Sequence, residues 1–228
     1  MKIFNHITPT RTAELLRVEE SEKYGRVYVF DSDDGNLSFP SVTTVLGGSA
    51  DHSWYDSWVA AVGQDRVNFV SKLATDHGTR LHLLVEHYLN NESLDWDKAS
   101  FARMIFNVSK FILDPIDNIH GQEMALFSKK LKIAGRCDCI GEYDSVLSLI
   151  DFKTSKHLKT RADITDYFLQ TTLYAIMYHE ITGISVKDLR ILVFNDFGKP
   201  SMFEGKVKDY VHEAIDRVKK FYSKDVSD

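Results

Sequence analysis

Two aspartates and a lysine set the chemistry that this sequence can support. The segments Ala134-Gly135-Arg136-Cys137-Asp138 and Leu149-Ile150-Asp151-Phe152-Lys153-Thr154-Ser155 flank Asp144-Ser145, a pair suited to a two-residue hairpin loop. Residues equidistant from such a loop oppose each other, which sets Asp138 against Asp151 and Arg136 against Lys153. Side chains alternate along a strand, so Lys153 shares the face of Asp151. Like charges opposed on neighbouring strands are destabilising; a fold that tolerates them protonates one carboxylate or neutralises both with a cation. At neutral pH a divalent cation is the simpler answer. Hard oxygen ligands suit Mg2+ or Mn2+, whose remaining positions accept water and phosphate oxygens, and the lysine then polarises an attacking water. An isolated Asp-x-Lys usually means a solvated ion pair. Here the apolar run Val146-Leu147-Ser148-Leu149-Ile150 makes Asp151 the end of a buried strand, where an ionised group needs a reason.

The rest of the composition narrows the field. The chain has 228 residues, 43% of them hydrophobic and 27% charged, so it is an ordinary globular protein rather than a disordered, collagen-like or disulfide-stapled one. With 28 Lys+Arg against 33 Asp+Glu the net charge is −5, and no global basic field announces a nucleic-acid partner. Locally the balance reverses. Between Lys129 and Arg161 stand Lys129, Lys130, Lys132, Arg136, Lys153, Lys156, Lys159 and Arg161 against Asp138, Glu142, Asp144 and Asp151, two of which are the paired carboxylates. A basic rim around an acidic centre is the layout expected for cutting a phosphodiester. Cys137 and Cys139 are too close on one strand to bridge and too few for a four-thiolate site, so no iron–sulfur cluster is expected and a reducing compartment fits. No stretch approaches the roughly 20 apolar residues of a spanning helix, and the polar N-terminus lacks an apolar signal region. Neither a membrane partner nor secretion is expected.

The elements that must position these groups can be read in outline. Residues 26–30 and 37–42 suggest an N-terminal hairpin around the turn-rich Asp33-Asp34-Gly35-Asn36. Residues 54–90 read as at least two helices, and 101–113 as another that Asp114-Pro115 stops. Strands follow over 123–128, 132–142 and 146–154, then a helix over 164–182 capped by Gly183, a strand over 189–194 and a charged helix over 207–222. This αβββαβα order predicts an α/β (α+β mixed) single domain, a central mixed sheet with helices on both faces. His82 and Glu86 lie one turn apart on one helix face, where Gly78 permits close backbone approach, and Gln170 and Tyr174 project together from the helix over 164–182.

Asp138 followed by Asp151-Phe152-Lys153 resembles the bipartite signature of the PD-(D/E)xK nuclease superfamily. Gly78-Thr79-Arg80-Leu81-His82, Glu123, Gly135-Arg136-Cys137-Asp138, Asp151 to Ser155 and Gln170-Thr171-Thr172-Leu173-Tyr174 are similar to its RecB-like branch in order and spacing. Phe39 to Leu46 and the Trp-containing stretch after it extend the resemblance to the mitochondrial genome maintenance exonucleases and their phage relatives. It implies a single domain over 1–228, with a hairpin and helical cover over 1–77, a catalytic core over 78–205 and a C-terminal helix over 206–228. It also implies that His82, Asp138, Asp151 and the Phe152 carbonyl bind Mg2+ or Mn2+, that Lys153 is the catalytic lysine, that Glu123 assists, and that Gln170 and Tyr174 border the site. Ser41 and Thr43 would donate hydroxyls to phosphate, with helix capping as their commoner alternative. Arg136, Thr154, Ser155 and Lys156 would hold the backbone, and Trp54 and Trp58, with Tyr55, would stack on unpaired bases. The implied function is an exonuclease that degrades single-stranded DNA from a free end in replication, repair or recombination. Its rivals are a flap or branch endonuclease and a non-catalytic DNA-binding module. The expectation is a monomer in the cytoplasm of a bacterium or phage-infected cell, with replication or recombination proteins as candidate partners.

Overall fold

Asp144 and Ser145 both adopt positive φ, 50° and 64°, which is the backbone that a tight two-residue hairpin requires. From that turn the ladder runs back through Tyr143–Val146, Glu142–Leu147 and Ile140–Leu149 to Cys139–Ile150, in the register the sequence predicts. The computed structural model describes residues 2–9, 11–32, 35–50 and 53–224, the side chain of Trp54 excepted. The strands are β1 (Leu15–Ser21), β2 (Gly25–Phe30), β3 (Leu37–Pro40), β4 (Ile116–Ser128), β5 (Ile133–Tyr143), β6 (Val146–Ser155), β7 (Asp188–Asn195) and β8 (Ser201–Lys206). The helices are α1 (Val42–Gly48), α2 (Ser53–Val62), α3 (Gln64–Leu89), α4 (Phe101–Ser109), α5 (Thr165–Thr182) and α6 (Val207–Ser223).

One sheet has the order β4-β5-β6-β7-β8, parallel between β6 and β7 and antiparallel elsewhere. Its two faces follow the period-two alternation of β6 and β7. Leu149, Leu189, Ile191 and Val193 pack with Phe168, Leu169 and Leu173 of α5, Ala214 and Val218 of α6 and Val42 and Val45 of α1. Ile150, Phe152, Leu192 and Phe194 pack with Leu81, Leu84 and Val85 of α3 and Ala102, Ile105 and Phe106 of α4. Each such side chain contributes roughly 1.5 to 3 kcal/mol on burial, so both helical layers are fixed to the sheet. Among the described residues no helix is long and apolar enough to cross a membrane.

Three elements differ from the sequence reading. The N-terminal pair is a three-stranded sheet, β1-β2-β3, because the polar, mostly exposed β1 adds to the outer edge of β2. Asp33 and Asp34 of its expected turn lie outside the described residues. β8 lies at the edge of the main sheet, and although its burial alternates, Met202 and Phe203 stand side by side, so no alternation of apolar residues betrays it in the sequence. The helical stretch after residue 54 breaks at Gly63, whose φ of 81° favours glycine. Beyond it α3 runs for 26 residues. Its second half is built into the core through Leu81, Leu84, Val85, Tyr88 and Leu89, whereas residues 64–76 are exposed apart from Val67 and Val70.

Candidate active site

Three carboxylates line up across three consecutive strands. The pairs Gln122–Cys139 and Met124–Cys137 bracket Glu123 and Asp138, and the β5–β6 ladder ends at Cys139–Ile150, one position short of Asp138 and Asp151. Glu123 itself has a φ of 47°, a left-handed conformation that costs a non-glycine residue on the order of 1 kcal/mol or more. That kink sits at a residue whose side chain faces the site.

The Asp138 side chain takes over where the ladder stops. Its Oδ2 accepts the Phe152 N–H at 2.7 Å, and the Phe152 carbonyl in turn accepts from His82 Nε2 at 2.8 Å. Both backbone groups of Phe152 are therefore spent inside the site. From α3, His82 directs Nδ1 towards Glu123 Oε1 and Asp138 Oδ1, each 3.8 Å away. One ligand atom from each of His82, Glu123 and Asp138 falls within 4.8 Å of the others, close enough to share one metal ion. Asp151, almost wholly buried, pairs instead with Lys153, whose Nζ lies 2.6 Å from its carboxylate and 5.1 Å from the Tyr167 ring centroid.

Charge follows from this crowding. Burial would lower the pKa of His82, but Asp138 and Glu123 outweigh it and raise it to about 9. Burial, aided by Asp138, lifts Asp151 to about 6 against the pull of Lys153. Lys153 is raised as well: burial opposes its charge, and Asp151 and Asp138 more than restore it. At neutral pH the histidine and the lysine thus act as internal cations among the carboxylates. A metal at the three-ligand cluster would have to displace the histidine's proton.

Residues 50–221 of the chain match the PD-(D/E)XK nuclease superfamily. The chain belongs to that superfamily. No curated protein matches it in sequence. Among solved structures it is similar to the crystal structure, at 2.19 Å, of a candidate exonuclease from Eubacterium rectale, at 13% sequence identity and a TM-score of 0.43. The similarity covers 64% of this chain and 63% of that one, so less than two thirds of the neighbour's length is spanned.

The other expected site residues divide into those the fold brings together and those it does not. Tyr174 is buried beneath β5, and a Cβ on Gly135 would come within 2.8 Å of its ring, so the glycine makes the close approach possible. Gln170 Nε2 donates to Tyr174 Oη at 3.2 Å, so the two side chains are held together. Gly78 does allow α3 to approach β6: a Cβ there would lie 3.4 Å from Thr154 Oγ1. The expected opposition of Arg136 and Lys153 is not formed. Beyond Cys139 the strands part, Ala134 bridges to Ser41, and Arg136 pairs with Ala125 of β4. Arg136 instead lines a cavity of about 410 Å³ with Gly78, Thr79, His82, Glu86 and Glu123.

Ser41 takes the capping role. It is the N-cap of α1, accepting from the Thr44 N–H at 2.9 Å, and its hydroxyl also meets the Thr43 and Thr44 hydroxyls at 2.9 and 2.7 Å. Thr43 is exposed. Thr154, Ser155 and Lys156 line a second cavity together with Phe101 and His77. Trp58 is half-buried on α2, edge-on to Tyr55 at 6.4 Å, and α2 contacts α3; the Trp54 side chain is outside the described residues. Sequence reasoning missed two contributors. Tyr167 faces Lys153, and Glu86 joins the cavity beside His82. The one available signal for Glu86 was its spacing of four from His82.

Proposed function

We propose that this nuclease is a divalent-metal-dependent exonuclease of the RecB-like branch that hydrolyses single-stranded DNA from a free end. The observation that carries the reading is the cluster of His82, Glu123 and Asp138 beside the Phe152 carbonyl and the buried Asp151–Lys153 pair. Two carboxylates, a carbonyl and one imidazole suit Mg2+ or Mn2+ as a donor set. When bound, such an ion supplies positive charge against the scissile phosphate and lowers the pKa of a water. The remaining steps belong to the chain. Lys153 is held protonated, so it donates to and orients a water or a phosphate oxygen rather than acting as a base. Asp151 fixes the lysine's position, and Tyr167 covers its other side. Gln170 and Tyr174 support β5 beneath Asp138.

The positions of the basic segments support this reading. The β4–β5 turn with Lys129, Lys130 and Lys132, and the segment after β6 with Lys156, Lys159 and Arg161, fall at the same end of the sheet, because β5 and β6 are antiparallel. The exposed part of α3 leads directly to Gly78 and Thr79 at the lip of the cavity, which supports a path for a threaded strand there. We place the protein, as a monomer, in DNA replication, repair or recombination in the cytoplasm of a bacterium or phage-infected cell. The test is cleavage of one single-stranded sequence in linear and in covalently closed circular form, in Mg2+, in Mn2+ and in chelator. Loss of the linear strand alone, and only with metal, is expected. Equal rates on both forms replace the exonuclease with an endonuclease, and no cleavage of either leaves a DNA-binding module.

A further inference from the structure

We infer that the cavity between the exposed half of α3, the start of α4 and the end of β6 receives one unpaired nucleobase of the strand being cut. This rests on the reading above and adds a subsite to it. The cavity has a volume of about 340 Å³ and is lined by Leu73, Ala74, His77, Phe101, Thr154, Ser155, Lys156 and Asp196. That is the lower end of the size range for small-ligand sites, and its walls combine apolar surface with a few polar groups, as such sites do. Phe101 is 47% exposed and Leu73 50%, although each sits at the edge of a well-packed helix layer. Exposed aromatic surface beside a nucleic-acid path is where a base's π-face stacks whatever its sequence.

The polar lining supplies an edge for that base. His77 packs its ring on Phe101, with centroids 5.2 Å apart and planes 39° to each other. Its Nε2 is buried and makes no hydrogen bond; the nearest carboxylate oxygen, Asp196 Oδ1, is 3.8 Å away, beyond bonding distance. A buried polar nitrogen without a partner calls for one, and a base edge with both donors and acceptors could meet it and the Asp196 carboxylate together. The position along the chain agrees. Thr154 and Ser155 directly follow Lys153 on β6, at about 3.3 Å per residue, and Lys156 comes next in the chain, so a base in the cavity belongs to a nucleotide within one or two of the scissile phosphate. Lys156 is the cation available to that nucleotide's phosphate.

The experiment uses a single-stranded oligonucleotide with one 2-aminopurine, moved stepwise from the end, titrated in Ca2+ in place of Mg2+ with wild-type protein and with Phe101→Leu. Expected is an emission change concentrated at one position, and binding at that position about fivefold or more weaker in the variant. Equal responses from the two proteins, or a response independent of position, overturn the inference. Cleavage of the unlabelled strand in Mg2+ is scored separately. A protein that cuts without the positional signal loses the base subsite and keeps the nuclease reading; one that gives the signal without cutting does the reverse.

Discussion

Lys153 is buried, paired with Asp151 and covered by Tyr167, an arrangement that fixes both its charge and its direction. Lys153→Met and Asp151→Asn should each lower kcat on single-stranded DNA by about 100-fold or more while leaving the thermal transition cooperative. The fold survives Lys153→Met because the partner's pKa is already about 6, so Asp151 can become neutral when its cation is removed. Near wild-type turnover in either variant would sink the assignment. His82 gives a prediction of a different kind. An imidazole nitrogen adds more to the binding of Mn2+ than of Mg2+, which prefers oxygen. His82→Ala should therefore raise the concentration needed for half-maximal cleavage more for Mn2+ than for Mg2+. Metal titrations of the two proteins measure the ratio, and an unchanged ratio makes His82 structural.

At the scale of elements, α4 begins on a small polar network. Asp97 Oδ1 accepts from the Ser100 N–H at 3.1 Å, its Oδ2 accepts from the Ser100 hydroxyl at 2.6 Å and from Arg80 at 3.2 Å, and Ser100 caps the helix. Burial alone would raise the Asp97 pKa, but the Ser100 and Arg80 bonds outweigh it and hold it below 3.8. A depressed carboxylate contributes stability that is present above its unfolded pKa and lost as pH falls through the folded value. Asp97→Asn should hence be less stable than wild type at pH 6, and the difference should close below about pH 3.8 in denaturant titrations. A second element-level test is Gly135→Ala, whose methyl would meet Tyr174 at 2.8 Å. Displacing that ring should cost about 1 to 3 kcal/mol, read as a lower melting temperature, and should slow cleavage by shifting Asp138.

Much of the centre was legible because it is local. Asp138, Asp151 and Lys153 sit on one hairpin whose two-residue loop dictates the pairing, and period two does the rest. The point where pairing ends was not legible: nothing in the sequence says that Asp138 will take the Phe152 N–H, so Arg136 was wrongly set opposite Lys153. Nor does a glutamate announce a left-handed φ at 123. His82 reaches the Phe152 carbonyl across 70 residues, a distance only the family resemblance could bridge. β1 is hidden because a strand exposed on both faces lacks the alternation that marks a half-buried one, and β8 because its inward face is Ser201, Phe203 and Gly205 rather than a set of apolar residues.

On the scale of the whole molecule, two well-filled helical layers hold the main sheet, and α3 leaves that frame. α3 gives its last turns to the core and carries residues 64–76 into solvent, with Gly78 close to the junction. Glycine inside a helix costs about 1 kcal/mol relative to alanine, so the boundary coincides with a weak point of the helix itself. The consequence concerns time rather than place. Opening of the outer turns breaks few apolar contacts, whereas opening of Leu81 to Leu89 requires losing the sheet face beneath. Amide hydrogens of residues 68–76 should exchange with deuterium orders of magnitude faster than those of residues 82–89 in the same continuous helix. Bound single-stranded DNA should slow the first group and leave the second unchanged. The helix thus joins two clocks, a fast one in its exposed turns and a slow one that keeps His82 in register with the carboxylates.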